Sequence, residues 1–180
     1  KKVFLILTLA ISTASLFAQK KTTTSAIIAF DATTAIDALA KAENKTAIAA
    51  IDTKSGSVAF EATVKNFAFS NPTIQEHFNG EKWLHSDAHP SFTFKGNIVD
   101  LTSVNFTKDG SYKADVEGTL TVKGKEQKVK VPATIEVKGS SLSASANFSI
   151  ALADYGISGA PIDGGKVSKE PKITVSVDFK

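Results

Sequence analysis

The chain has 180 residues, no cysteine and a formal net charge of +3, and two of its positive charges stand at the N-terminus as Lys1 and Lys2. The lack of cysteine excludes disulfides, thiolate metal sites, a cysteine nucleophile and a lipid-modified cysteine. So small a net charge, spread along the chain, gives no electrostatic reason to expect a nucleic acid partner.

Residues 1–18 have the layout of a secretory signal peptide. Two lysines precede an uncharged, mostly apolar stretch from Val3 to Phe17, and Ala18 closes it. This stretch is shorter than the roughly 20 residues that a membrane-spanning helix needs. We therefore expect residues 1–18 to be cleaved and 19–180 to form one domain in a bacterial periplasm. An uncleaved membrane anchor is the alternative.

The first part of the mature chain gives a mixed pattern of short apolar segments. Ile36, Leu39 and Ala40 stand at helical spacing, whereas later apolar residues alternate with polar ones, as in strands with one buried face. In chain order we predict a polar leader over 22–25, a first strand over 26–32, a short helix or irregular arm within 34–44, and paired strands over 46–52 and 57–65.

One short helix is predicted between residues 71 and 80. The residue at 71 is an asparagine that can cap the first turn, Pro72 suits the first helical position, and the glycine at 80 is a natural stop. Ile74 and Phe78 lie four residues apart and share one face. We expect this helix to lie as a plug or lid against the mouth of a barrel.

From residue 91 onward apolar and polar residues alternate almost without a break, which is typical of strands with one dry and one wet face. The connection 153–170 is rich in glycine and proline, and it is long enough to act as a gate. Counting the pieces gives about eight antiparallel strands, the number at which a closed all-β barrel can hold one small ligand. In this half of the chain we predict strands over 91–99, 104–107, 112–122, 129–137, 142–152 and 173–179.

Several inward positions of these strands carry small side chains, which leaves room inside the barrel. Those positions are Ala62, Ala114, Gly118, Ala133, Ala144 and Ala146. We expect the larger inward residues to line a tunnel for an isoprenoid or acyl chain, and the alternative is that they pack only against one another as a core. The predicted lining residues are Phe60, Val64, Phe92, Phe94, Val116, Leu120, Phe148, Ile150 and Leu152.

Four segments in sequence order carry a resemblance to a known family. They are IQEHFNGEKW at 74–83, HPSFTFKG at 89–96, EGTLTVKGKEQKVKV at 117–131 and DYGI at 154–157. Through them the mature chain resembles the YceI family over nearly its whole length. The resemblance implies a lipocalin-like, eight-stranded antiparallel barrel with one or two short helices, from an exported protein that holds a polyisoprenoid or similar amphiphile. The first strand, Ile27 to Asp31, departs from the commoner family pattern.

Polar residues near the expected mouth are candidates for contacts with a ligand head group. Tyr155 beside Asp154 has an apolar ring with one polar tip, and the alternative is a structural turn. His77 stands near the end of the predicted helix, where it would otherwise be an ordinary polar residue.

Two further groups of charged or titratable residues have simpler interpretations. His85 and His89 are four residues apart, but Pro90 disfavours helical geometry at His89, so we expect no metal site. A group of lysines at one hairpin tip could make transient contact with anionic lipid head groups at a membrane surface, or could simply be solvated. These lysines are Lys123, Lys125, Lys128 and Lys130.

We interpret the chain as an exported carrier, storage or stress-protective protein that holds a polyisoprenoid or isoprenoid-quinone-like lipid. It would need no cofactor besides that lipid and would act as a monomer or homodimer. The alternative from another class is a structural or protein-interaction barrel filled by its own side chains. Catalysis is not expected, since no Gly-x-Ser-x-Gly elbow occurs. A lipid isomerase or hydrolase would need an ionisable residue deep in the pocket, and the predicted inward positions offer only Tyr112.

Overall fold

The computed structural model of the protein describes residues 19–179. The predicted signal segment, 1–18, lies outside the described residues. The strands are β1 Lys20–Asp31, β2 Lys41–Asp52, β3 Ser57–Thr63, β4 Ala68–Phe69, β5 Ser91–Ile98, β6 Gly110–Val122, β7 Lys125–Lys138, β8 Ser141–Ser149 and β9 Lys172–Phe179. The helices are α1 Pro72–Asn79 and α2 Ala160–Asp163, and short 3-10 segments occupy Val64–Asn66, Leu101–Ser103 and Leu152–Tyr155.

Eight of the strands form a closed antiparallel barrel. Neighbouring strands follow the order β1-β9-β8-β7-β6-β5-β3-β2, and β1 also pairs with β2, which closes the ring. The two-residue strand β4 pairs with Ala42 and Glu43 near the start of β2. Register shifts between Thr23 and Ala26 and between Ala26 and Ile28 bend β1, so that one strand can pair with both β2 and β9. The predicted all-β, eight-stranded barrel is confirmed.

The two ends of the barrel differ in what covers them. The antiparallel register brings the long connections 32–40, 64–90 and 150–171 to one end, which we call the lid end. The opposite end, the base, carries the connections 53–56 and 99–109 and a tight turn at 139–140. Within residues 19–179 no helix is long and apolar enough to cross a membrane.

The predictions for the N-terminal part were wrong in two places. The expected polar leader, 22–25, is part of β1 and pairs with β2. The expected helix within 34–44 is a loop followed by the start of β2. There the side chains of Thr34 and Asp37 accept hydrogen bonds from nearby backbone N–H groups, which stabilises a turn in place of a helix.

A third error concerns the expected strand at 104–107. That segment follows a 3-10 turn, and β5 pairs with β3 and β6 instead. The side chains of Asp100 and Asn105 accept hydrogen bonds from the backbone N–H groups two residues later, an arrangement that favours turns. Two strand ends were also placed too late: β3 ends at Thr63 and β8 at Ser149.

The predicted short helix is present and begins as the sequence indicated. The Oδ1 atom of Asn71 accepts hydrogen bonds of 2.9 and 3.3 Å from the N–H groups of Thr73 and Ile74. Pro72 occupies the first turn, and Gly80 stands at the C-terminal end. Phe78 on the inner face of α1 is buried, so the helix lies against the barrel, as predicted for a lid.

Candidate functional site

The barrel encloses a cavity of about 160 Å³. It runs from Phe78 and Trp83 at the lid end to Ile51 and Phe179 at the base. None of the side chains that line it is ionisable. The lining residues are Ile28, Phe30, Ile51, Val58, Phe60, Ala62, Phe67, Phe78, Trp83, Leu84, Phe92, Thr93, Phe94, Val116, Leu120, Val122, Val131, Ala133, Ile135, Ala144, Ser145, Ala146, Phe148, Ile150, Leu152, Ile157, Ile173, Val175 and Phe179. The arrangement can bind an apolar group, and it offers no side chain for acid–base chemistry.

Packed phenylalanines close the lid end of the cavity. The rings of Phe69 and Phe78 have centroids 4.8 Å apart, and Phe30 lies 5.7 Å from Phe78. Phe67 lies 6.0 Å from Phe78 and 5.6 Å from Phe92. These tilted contacts join β1, β4, α1 and β5 across the mouth. These rings form a packed aromatic cluster at this end of the cavity.

A pair of glycines shapes the wall at mid-depth. Gly96 on β5 is paired with Gly118 on β6, and Phe94 lies two residues before Gly96 on the same face of β5. A Cβ atom on Gly118 would lie 2.6 Å from Cζ of Phe94, and one on Gly96 would lie 2.7 Å from it. The ring of Phe94 therefore rests directly against the two glycines and lies along the wall. Only residues without a side chain permit this position, which keeps the ring out of the centre of the cavity.

Eight of the predicted site residues come together along this cavity. They are Phe60, Phe92, Phe94, Val116, Leu120, Phe148, Ile150 and Leu152. Three others lie elsewhere: Val64 is buried in the 3-10 segment after β3, His77 is exposed on the outer face of α1, and Tyr155 is buried beside the barrel wall. Of the small inward residues, Ala62, Ala133, Ala144 and Ala146 border the cavity.

The prediction missed lining residues that come from the connections and from β1. Phe67, Leu84 and Ile157 belong to irregular segments of the lid end, where no periodic pattern marks the inner face. Ile28 and Phe30 lie in the run Ile-Ile-Ala-Phe, which has apolar residues at both parities. Charged residues seldom face a barrel interior, so Asp31 at the end of that run indicates that Phe30 and Ile28, at the other parity, face inward.

The pKa of Tyr155 is strongly shifted by its surroundings. Burial, with a smaller contribution from the neighbouring Asp154 carboxylate, raises the pKa of the Tyr155 hydroxyl to about 12. Its side chain is only 2% exposed, whereas Asp154 is exposed to solvent. Gly156 follows with φ of +67° and turns the chain back. In this structure the Asp-Tyr-Gly segment anchors a turn against the barrel.

The histidines pack separately from the cavity. The rings of His85 and His89 have centroids 6.0 Å apart at nearly right angles, and His89 lies against Gly124 in the turn between β6 and β7. Among residues 19–179 no group of three or more histidine, aspartate or glutamate side chains could hold a metal ion.

The lysines predicted to lie at one hairpin tip separate into different environments. Lys130 forms ion pairs with Asp115 at 3.1 Å and Glu117 at 3.6 Å on the outer surface. Lys125 crosses over Gly156 on the lid-end connection. Two of the four lysines are therefore engaged with the protein's own surface.

A family model described as a YceI-like domain matches residues 9–179 of the chain. The chain belongs to this family. Solved structures with the same fold include BcnA of Burkholderia cenocepacia, at 19% identity and a TM-score of 0.72 over 86% of this chain and 96% of that one. No curated protein matches the chain.

Two further structures extend the comparison of this YceI-like chain. One is a polyisoprenoid binding domain from Saccharophagus degradans implicated in plant cell wall breakdown, at 13% identity and a TM-score of 0.74 over 90% of this chain and 98% of that one. The other is a YceI protein of Campylobacter jejuni, at 17% identity and a TM-score of 0.57 over 100% of this chain and 92% of that one. At these identities the similarity establishes the barrel fold.

Proposed function

We propose that the protein binds a polyisoprenoid or prenyl-quinone-like lipid, with the prenyl chain in the barrel. The observation that carries the proposal is the composition of the cavity lining. Aromatic and aliphatic side chains surround the cavity, and no ionisable side chain of residues 19–179 lines it. Each buried methylene contributes about 0.8 kcal/mol of transfer free energy, so affinity needs no specific polar contact. The polyisoprenoid binding domain among the similar structures supports this class of ligand.

The size of the cavity sets how the chain would fit. A cavity of about 150 Å³ lined by apolar residues holds one benzene-sized group, and the cavity here is about 160 Å³. A prenyl chain longer than one or two units therefore needs the interior side chains to rearrange. Several lining phenylalanines are only partly buried, among them Phe60, Phe92 and Phe148, so we expect such rings to turn first.

Trp83 allows a direct test of binding, since it is the single tryptophan and it borders the cavity. A prenylated benzoquinone should quench its fluorescence saturably, and a benzoquinone without a chain should not. The double variant Ala133→Leu/Ala144→Leu fills the cavity from two neighbouring strands and should weaken binding at least tenfold. Its matched control is Thr134→Leu/Ser143→Leu, which introduces the same two leucines on the outer face of the same strands. Equal affinity for both double variants, or no saturable quenching of the wild type, would refute the proposal.

The proposal includes export to the periplasm and a carrier, storage or protective role, without a catalytic step. The signal-like segment 1–18 supports export. Transient membrane contact is supported by Ile36 and Leu39, which are 71% and 45% exposed in the 32–40 connection at the lid end. Two exposed large aliphatic side chains beside a lipid cavity suit insertion among lipid head groups.

A further inference from the structure

The barrel wall opens into a wedge between β7 and β8. Within residues 19–179 the hydrogen-bonded ladder between these strands runs from Lys138–Ser141 to Ala133–Ala146 and ends there. Toward the lid end, β7 continues to Lys125 and β8 to Ser149. The upper residues of β8 pair only with β9. The two strands are therefore joined in the lower part of the barrel and separate above it.

Pro132 explains why the ladder stops at this level. It follows the last pair on the lid side, and its Cα partner on β6 is Asp115. Proline has no N–H group, so it cannot donate a ladder hydrogen bond at that position. The side chains at the last pair, Ala133 and Ala146, are also small. The lower boundary of the wedge is consequently fixed by the sequence.

The 3-10 segment 152–155 fills the wedge, and we call it the plug. Nε2 of Gln127 on β7 donates a hydrogen bond of 3.0 Å to the carbonyl oxygen of Asp154. Leu152 and Tyr155 point into the protein and are each 2% exposed. No strand ladder holds the plug to β7 within the described residues.

The plug is braced by its own connection. The N–H group of Leu152 donates to the carbonyl of Lys169 at 3.0 Å, and the N–H group of Ile157 donates to the carbonyl of Leu152 at 3.0 Å. These partners all belong to 150–171, and the N–H group of Ser168 in this connection donates to the carbonyl of Ala32 at 2.9 Å, so the plug can move with the connection once that one bond to the 32–40 connection opens. Such a movement leaves every strand of the barrel paired.

The cavity and an outer groove share residues at the lower boundary of the wedge. Ala133, Ser145 and Ala146 border the cavity, and the same three residues border a groove on the outer surface. Leu152 of the plug lines the cavity directly. Displacing the plug therefore exposes the apolar interior along the side of the barrel.

We propose that a hydrophobic ligand enters and leaves the cavity laterally, through the wedge between β7 and β8, when the plug moves outward. This inference rests on the proposed lipid-binding function. A ligand that used the lid end would have to pass the packed phenylalanines of three strands and α1. Passage through the wedge breaks the Gln127 hydrogen bond to the plug and the Ser168–Ala32 bond, and no strand pairing. In this proposal Tyr155 is a buried anchor that holds the plug in the closed position.

The test measures the rate of uptake of an anthraniloyl ester of geranylgeraniol from vesicles, followed by energy transfer from Trp83. The variant Pro132→Cys/Asn147→Cys places a disulfide across the base of the wedge, since these positions continue the β7–β8 register. The chain has no other cysteine, so pairing is unambiguous. The control is Glu136→Cys/Ser143→Cys, a pair lower in the barrel where the strands are already joined and neither residue borders the cavity.

We expect oxidised Pro132→Cys/Asn147→Cys to take up the probe at least tenfold more slowly, to reach the same final occupancy, and to recover with a reductant. The control disulfide should leave the rate unchanged. Gln127→Ala should speed uptake several-fold, while Asp109→Ala, which removes a comparable bond to the Gly139 N–H at the base, should not. If the cysteines fail to pair, Gln127→Ala carries the test alone.

Two results would overturn the lateral route. One is an uptake rate that neither the wedge disulfide nor Gln127→Ala changes relative to its control. The other is equal slowing by both disulfides. Absence of any probe binding by the wild-type protein at equilibrium is a different result, and it would count against the proposed function itself.

Discussion

The side-chain oxygen of Gln75 accepts a hydrogen bond of 3.0 Å from the backbone N–H of Phe69. Its amide nitrogen donates a bond of 2.7 Å to the carbonyl of Phe67. One side chain of α1 thus imitates a strand neighbour for β4 and fixes two of the phenylalanines that close the mouth. The lid is therefore held by polar bonds as well as by aromatic packing.

Replacing Gln75 by leucine should loosen this lid. The change leaves a partly buried N–H and a carbonyl without their partners, which costs about 1–3 kcal/mol of unfolding free energy. Urea denaturation measures the loss. Glu76→Ala, an exposed neighbour on the same helix, is the control and should change stability by less than about 0.5 kcal/mol. A Gln75→Leu protein as stable as the control would show that packing alone holds the lid.

Removing the ring of Phe94 should enlarge the cavity at mid-depth. Phe94→Ala leaves the surface of Gly96 and Gly118 uncovered, and truncating a core phenylalanine typically costs about 3–5 kcal/mol. The variant should bind benzene measurably more tightly than the wild type in calorimetric titrations. Phe106→Ala, which removes a partly buried ring that does not border the cavity, should lose stability without this gain. Equal benzene affinity in both variants would contradict the placement of the ring.

The raised pKa of Tyr155 predicts a change in stability at high pH. Its pKa rises from 10.0 to about 12 on folding, so the unfolded chain releases this proton first. The contribution of the buried Tyr155 hydroxyl to the free energy of unfolding is complete below pH 10 and is lost as pH rises toward 12. Stability of the wild type should therefore fall more steeply over this window than that of Tyr155→Phe, which keeps the ring. Parallel curves from denaturant titrations at several pH values would contradict the burial of the hydroxyl.

The exposed aliphatic residues of the 32–40 connection should contribute to membrane contact. Ile36→Ser/Leu39→Ser should reduce co-sedimentation with phosphatidylethanolamine and phosphatidylglycerol vesicles about tenfold, equivalent to about 1.4 kcal/mol. The control is Ile48→Ser/Val99→Ser, which removes two aliphatic side chains that are 50% and 53% exposed away from this connection. If both double variants lose the same binding, the contact is not localised at the lid end.

Local patterns predicted much of the barrel. The β6–β7 hairpin follows from the alternation on either side of a turn at Lys123 and Gly124, which both adopt positive φ. The strand after the turn begins at Lys125, four residues earlier than predicted, because residues 125–128 are all polar and hide the pattern. The start of α1 follows from the Asn71-Pro72 cap. These elements are specified by neighbouring residues, so the sequence alone indicates them. Six of the eight predicted lining residues lie on strands, where parity decides which side chains face inward. Ile150 and Leu152 line the cavity although they follow the end of β8.

The features that were predicted wrongly, or not at all, depend on contacts between residues far apart in the sequence. Ile36 and Leu39 have helical spacing, yet they face solvent because β2 begins at Lys41, opposite Asp31 of β1. Closure of the ring depends on pairing of β1 with β9 at the other end of the chain. The lining residues of the lid end lie in connections whose path is set by packing against the finished barrel. The wedge was missed because the pattern of β7 continues through Pro132 without a visible change in parity.

The most direct test is native mass spectrometry of the mature protein, isolated from its own compartment without detergent, followed by organic extraction. Lipid binding predicts one prenyl lipid for each chain, lost from Ala133→Leu/Ala144→Leu and retained by Thr134→Leu/Ser143→Leu. A bare protein mass in repeated preparations, with no adduct after incubation with geranylgeraniol or a prenyl quinone, would contradict it and favour a barrel that serves as a structural or protein-interaction module.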